Sequence, residues 1–374
     1  MKRFLVKLLG GKEYQMLRIS IFSIVLGLLA GAVILLLIGE NPLAAYMNLL
    51  QGSGLLPKRS YAGKQNMFTD FVQLLDAMTP MVFASLSVAV ALKGGLFNIG
   101  VSGMMMASGF VASVLVGYSS LAAPIAKPLV LLIGIVTGAF VGSLIGWLKY
   151  KFNINEVVSA IMINYILMYV ITFFINSYYV DAVSRQSKLI GESARLTLVD
   201  VRAMGLKFNI PLAFVLAIIA AFVIRFLMDR TTLGYEIKAV GLSRSAASYA
   251  GINIGRNILT TMMLSGALAG LAGVTYFCGY MGTIQPGVIP SMGFNAIAVA
   301  LLGNSNPVGC IFASFLITII TRGSIYMSSQ QGVEIELADV ITAIILIFAA
   351  CSEFFRMYVS RLEQEILANS QSVE

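Results

Sequence analysis

Apolar residues in this chain come in long blocks, and charges fall at the ends of the blocks. Ile19 to Ile38 is a run without a single charge, about the ~20 residues a helix needs to cross a ~30 Å hydrocarbon layer. Nine similar blocks follow. The pattern predicts membrane-spanning helices over 18–38, 77–93, 97–117, 129–149, 157–179, 211–228, 257–279, 283–303, 308–326 and 338–355. Gly, Pro or polar residues interrupt 77–93 and 283–303. The expected fold is an all-α membrane protein of about ten transmembrane helices, with residues 1–374 as one membrane domain. Spans two to five and seven to ten form two four-helix groups of opposite orientation, an inverted repeat. Leu96-Phe97-Asn98-Ile99 has a short echo in Gly293-Phe294-Asn295-Ala296.

Three hydrophilic segments lie between the blocks. Residues 40–76 have a Gly/Pro/Lys-rich centre, 180–210 carry mixed charge, and 229–256 form the largest loop on the opposite side. Of the 25 Lys and Arg residues, fifteen fall on the side of the N-terminus and ten on the other. Cytoplasmic loops carry the Lys/Arg excess. The N-terminus (1–17), the 229–256 loop and the tail (356–374) are therefore expected in the cytoplasm. Tyr118, Tyr178, Tyr179 and Tyr326 fall at outer ends, and Trp147, Tyr150, Tyr235 and Tyr358 at inner ends, as aromatic belts do. The basic N-terminus (Lys2, Arg3, Lys7, Lys12, Arg18) precedes a full-length apolar core, which reads as an uncleaved first span.

Composition narrows the chemistry. The chain is 58% hydrophobic and 11% charged, far from the ~25% charge of a soluble domain. The net charge of +8 is a topology signal and not a nucleic-acid surface, because the basic residues do not gather on one soluble face. There is no histidine, which removes His-based acid/base, nucleophile and metal chemistry. Cys278, Cys310 and Cys351 lack ligand spacing and read as small buried hydrophobes. No G-x-x-x-x-G-K-[ST] phosphate loop occurs, so any ATP must act on another polypeptide. No cofactor or metal is expected on this chain.

Four motifs stand out. Lys93 to Gly103 interrupts an apolar run with four glycines and Asn98. It is either a broken helix lining a solute path or a tight turn with Asn98 capping the next helix. Gly134, Gly138, Gly142 and Gly146 form one helix stripe suited to close helix packing. Asn153, Asn155, Glu156, Asn164 and Tyr165 surround a span start. There Glu156 reads as an interfacial residue favoured by the helix dipole, or as one that faces a cavity or pairs with Lys149 or Lys151, and Asn164 lies two turns deeper. In the 234–252 loop, Ser243 is a candidate N-cap and Gly251 a candidate C-terminal stop around a short alanine-rich helix.

That loop, GYEIKAVGLSRSAASYAGI, resembles the coupling loop of bacterial ABC-importer permeases of the branched-chain amino acid, ribose and nucleoside superfamily. GLFNIGVSGMMMASGF (95–110), NEVVSAIMINYI (155–166) and TPMVFASLSVAVALKGGLFNIG (79–100) resemble the nucleoside and simple-sugar branch. Ser102 and Met104 stand where that branch commonly has Glu and Gln, and Lys238 and Ser243-Arg244 where it has Arg and Asn-Pro. The resemblance implies a permease domain that takes up nucleosides or simple sugars by alternating access. It implies a second, paralogous permease subunit, cytoplasmic ATPases that hydrolyse ATP, an extracellular solute-binding lipoprotein, and a bacterial cell membrane. On this reading Phe97, Asn98, Asn164 and Asn295 line the path. Glu236, Gly241, Arg244, Ala247 and Gly251 carry the coupling. The alternative is an ion-coupled secondary transporter of a small polar solute, which calls for carboxylates deep in the membrane. Asp76, Glu156, Glu334, Glu336, Asp339 and Glu353 all fall near predicted span ends or in loops.

Overall fold

The computed structural model describes residues 15–61, 65–203, 206–332, 334, 336–351, 354–355 and 357–362. Most of the 1–17 and 356–374 segments, together with Glu353, lies outside the described residues. The order of elements is α1 (Gln15–Ile38), α2 (Pro42–Gly52), α3 (Met67–Lys93), α4 (Val101–Ala112), α5 (Ala123–Phe152), α6 (Glu156–Phe174), β1 (Thr197–Ala203) and β2 (Leu206–Pro211). There follow α7 (Leu212–Arg230), α8 (Thr232–Leu242), α9 (Arg244–Tyr249), α10 (Ile254–Thr275), α11 (Met292–Leu302), α12 (Pro307–Gln331) and α13 (Glu336–Ala350). The ends of α4, α6 and α10 widen into π turns at Ser113–Gly117, Ile175–Tyr179 and Tyr276–Met281.

Each of the ten predicted stretches contains a helix. Among the described residues, seven helices are long and apolar enough to cross a membrane, and Val101–Gly117 and Met292–Leu302 are shorter apolar helices. The membrane window of α3 is 94% buried, against 22% in α1 and 28% in α7. α3 is therefore the axle of the bundle, and α1 and α7 turn most of their surface outward. α10 packs chiefly on α5, α3 and α4. The glycine stripe of α5 explains that choice. A methyl on Gly138 would lie 2.6 Å from Gly270 Cα, and one on Gly142 would lie 2.9 Å from Gly266 Cα, so the two backbones touch.

Four expectations are corrected. First, α3 begins ten residues before 77. Asn66 Oδ1 accepts from Thr69 N and Thr69 Oγ1 accepts from Asn66 N, both at 3.0 Å, a reciprocal cap that starts the helix early. Asp76 is therefore not at a helix end; it lies nine residues, ~13 Å, inside α3 and is buried. Second, the 40–76 segment also holds α2, started by Asn41 capping Leu43 N at 3.0 Å and by Pro42 in the first turn. α2 lies on α12, where a methyl on Gly52 would come within 2.9 Å of Gly323 Cα.

Third, 283–303 is not one span. Residues 283–291 are non-helical, and only Met292–Leu302 is helix. Pro286, Gly287 and Pro290 oppose helix there. The 11 residues of α11 span ~16 Å, about half a hydrocarbon layer. Fourth, the fold is not all-α. β1 and β2 form an antiparallel hairpin inside the 180–210 segment, pairing Thr197 with Pro211 and Ala203 with Leu206. Cys278 and Cys310 are buried as expected, whereas Cys351 is exposed.

Candidate functional site

Helix α3 ends in a Schellman pattern. Leu96 N donates to Ala91 O and Gly95 N to Leu92 O, both at 3.0 Å, and Gly95 takes φ +65°, which only glycine adopts cheaply. The chain then runs non-helically to Gly100 and re-enters α4. This break sits inside the bundle, so its backbone groups need partners.

Two of the predicted residues supply them. Asn98 is buried; its Oδ1 accepts from Gly100 N at 2.9 Å, and its Nδ2 donates to Ser265 Oγ on α10 at 2.8 Å. Ser265 Oγ in turn donates to Ser87 O on α3 at 2.8 Å. Asn164 approaches from α6. Its Oδ1 accepts from Gly103 N at 2.9 Å and its Nδ2 donates to Ile99 O at 3.0 Å. One side chain thus satisfies the Ile99 carbonyl, just before the Gly100 cap of α4, and an orphan amide of its first turn. Gly103 is glycine for this reason, since a methyl there would meet Asn164 Cα at 2.9 Å.

The 93–103 segment is a tight turn between α3 and α4, with Asn98 accepting from Gly100 N at its second end. Asn164→Ala would leave Ile99 O and Gly103 N unpaired, at roughly 1–3 kcal/mol each. The expected result is a markedly lower melting temperature in detergent, and an unchanged one would show that Asn164 does not hold the break.

The second interruption meets the first. Ser102 Oγ donates to Pro290 O at 2.8 Å, and a methyl on Gly293 would lie 2.6 Å from Ser102 N. The starts of the short helices α4 and α11 therefore abut. Asn295 stands on the first turn of α11 and is half-buried, as is Phe97 in the other break. Sequence reasoning missed Ser87, Ser102 and Ser265. A serine inside an apolar run carries no periodic signal, and only its cross-helix partner gives it a role. Glu156 stands at a helix start and is also paired with a lysine. It opens α6 beside the Asn155 cap and pairs with Lys149 at 2.8 Å.

The predicted coupling residues lie on and around α8 and α9. Ser243 Oγ accepts from Ala246 N at 3.3 Å, and Gly251 closes the turn at φ +80°. Ala247 is buried, while Arg244, Leu242 and Tyr249 are exposed, the last at 95%. α8 ties this loop to the bundle. Glu236 Oε2 accepts from Asn257 Nδ2 of α10 at 2.9 Å. A methyl on Gly241 would lie 2.9 Å from Gly95 N, so the end of α8 rests backbone to backbone on the α3–α4 break. The loop and the candidate path are in direct contact.

The family model described as "Branched-chain amino acid transport system / permease component" matches residues 71–350. The chain belongs to this family. Its matched region takes in both breaks, the glycine stripe and the α8–α9 loop, so the contacts above are those of a multi-pass transport component. The chain is similar to the nucleoside ABC transporter permease protein NupB of Lactococcus lactis subsp. cremoris, 37% identical over 89% of this chain and 90% of that protein. It is similar to the guanosine ABC transporter permease protein NupP of Bacillus subtilis, 33% identical over 95% and 99%. A second Lactococcus permease, the nucleoside ABC transporter permease protein NupC, is 24% identical over 70% of this chain and 83% of its own length.

Proposed function

We propose that this chain is the permease subunit of an ATP-driven importer that takes up nucleosides across a bacterial cell membrane. The observation that carries the reading is the seat of Gly241 on the Lys93–Gly95 turn. A force applied to the exposed face of α9 reaches the intramembrane break through one backbone contact. The solute class follows the relatives named for nucleosides and guanosine, with simple sugars the less favoured class. The chain forms one permease domain with both termini in the cytoplasm and two inverted four-helix groups. It pairs with a paralogous permease, as the two Lactococcus relatives suggest. Two cytoplasmic ATPases dock on 229–256 and hydrolyse the ATP, and an extracellular binding lipoprotein delivers the solute. The chain itself binds no cofactor.

In this reading Asn98 and Asn164 hold the wall of the path, while Phe97 and Asn295 face the solute. An aromatic ring stacks on a base for ~1–3 kcal/mol, and an amide both donates and accepts. Phe97→Ala and Asn295→Ala are each expected to raise the KM for nucleoside uptake about tenfold, ~1.4 kcal/mol, with complex assembly intact. An unchanged KM in both would remove them from the path. Among the described residues, Asp76 is the feature that favours an ion-coupled transporter, because it is a carboxylate deep in a membrane helix. Affinity purification from native membranes separates the two readings. A co-purifying ATPase and second permease, with ATP hydrolysis stimulated by a nucleoside-loaded binding protein, supports the importer. A lone chain that moves solute under an ion gradient without ATP overturns it.

A further inference from the structure

Residues 187–197 cross the end of the bundle opposite the coupling loop like a strap. Ser187 N donates to Ile284 O at 3.0 Å, Ile190 N to Gly282 O at 3.2 Å, Gly191 N to Gly117 O at 2.9 Å and Leu196 N to Cys278 O at 2.9 Å. The strap therefore bridges the far end of α4, the π turn after α10 and the non-helical stretch before α11. Ile190, Ala194 and Leu196 are buried beneath it. Its last bond is to a charge. Thr197 Oγ1 donates to Asp76 Oδ1 of α3 at 2.8 Å.

Asp76 is 5% exposed, and a buried carboxylate is costly unless it is paired. The Arg195 and Arg322 guanidiniums both lie within Coulombic reach of it. Arg322 of α12 is held by Gln73 Oε1 at 2.8 Å and Tyr280 OH at 2.9 Å. Arg195 lies against Gly282, whose φ of +78° and missing side chain leave it room. Its Nε is buried and makes no hydrogen bond. The cluster sets two cations near one buried carboxylate.

We propose that Asp76 is the lock of a gate formed by the 187–197 strap, a positioning residue that holds the strap closed through Thr197. The gating role rests on the alternating-access importer reading; the lock itself rests on the contacts above. With the strap seated, Asp76 of α3 and the far ends of α4 and α10 are tied together away from the coupling loop. With it lifted, that end of the path is open.

Two measurements test this in cells that express the whole transporter, with Cys278, Cys310 and Cys351 replaced by Ala. A Cβ built on Gly279 lies 3.7 Å from Leu196 Cβ, within the ~3.5–4.5 Å that a disulfide spans. In the Gly279→Cys/Leu196→Cys chain, oxidation is expected to cut nucleoside uptake at least tenfold, with recovery on reduction. Full uptake by a chain shown by mass to be cross-linked overturns the gate. The second readout needs no transport. Labelling of Gly279→Cys by a membrane-impermeant maleimide is expected to quicken at least tenfold in Asp76→Ala and in Thr197→Val, and to slow again in Asp76→Glu. Unchanged labelling in both variants overturns the lock. If labelling shifts as stated while the unmodified transporter shows no ATP-dependent nucleoside uptake, the lock stands and the importer reading fails.

Discussion

Gly270→Val will leave little or no folded chain in the membrane. The α5–α10 contact is backbone on backbone at its centre, where Gly138 and Gly142 meet Gly266 and Gly270. A Cβ on Gly270 would overlap the Gly134 carbonyl oxygen, and one on Gly266 would overlap that of Gly138. Neither obstacle is a flexible side chain, so the only relief is to separate the helices. Within lipid the pair has no hydrophobic drive to fall back on, because tails are as apolar as Leu, and close packing is what holds it. Helix propensity works the other way, since replacing Gly by Ala favours the helix by ~1 kcal/mol. Overpacking typically costs ~1–3 kcal/mol per site, and a rigid backbone neighbour puts this site at the upper end. Gly270→Ala should therefore already lower the melting temperature, and Val should prevent folding. Gly146→Ala is the matched control. Its nearest neighbours, Met262 Cβ at 3.1 Å and Leu259 Cα at 3.2 Å, lie beyond overlap distance, so a separation of a few tenths of an ångström admits the methyl. Detergent size-exclusion profiles of the variants decide it. A monodisperse Gly270→Val peak of native amount would show that the glycine stripe does not hold the bundle.

That stripe was legible in the sequence because its spacing of four has one structural meaning. Seven of the ten apolar blocks were legible by length, since among the described residues they hold helices long and apolar enough to cross a membrane. What escaped was local backbone chemistry inside polar stretches. The Asn41-Pro42 start of α2 and the Asn66/Thr69 cap of α3 are both written in the chain, but a search for apolar length passes over them. Missing the second put Asp76 at a helix end and hid a deeply placed carboxylate. The β1–β2 hairpin lies in a segment whose charges drew attention from its alternation. The 283–291 stretch has the opposite fault. It is apolar enough to pass as a span, and only its Pro and Gly residues betray that it is extended. At the breaks, Asn98 and Asn164 stood out as polar residues within apolar runs. Their partners were not foreseeable, because Ser265 is 167 positions from Asn98 and Gly103 is 61 from Asn164. Sequence separation of that size becomes contact only through the packing of α3, α6 and α10.

The same packing makes Gly241→Ala the sharpest probe of coupling. An added methyl there would overlap the Lys93 carbonyl oxygen and lie 2.9 Å from both Gly94 C and Gly95 N. It would wedge the end of α8 off the turn that closes α3. The change leaves α9 alone. Ala247 still anchors it, and its exposed face, with Arg244 and Tyr249, still stands out from the bundle. The ATPases are therefore expected to bind as before and to hydrolyse ATP, while nucleoside uptake falls at least tenfold. A variant that lost ATPase binding instead would point to α8 as part of the docking face. Gly251→Ala separates contact from backbone strain. Its φ is +80° with nothing within 4 Å of an added methyl, so it incurs ~1–2 kcal/mol of left-handed strain without touching the break. If Gly251→Ala uncouples uptake from hydrolysis as fully as Gly241→Ala does, the force does not travel through the α8 seat. If only Gly241→Ala does so, the Gly241–Gly95 contact is where motion of the loop enters the membrane helices.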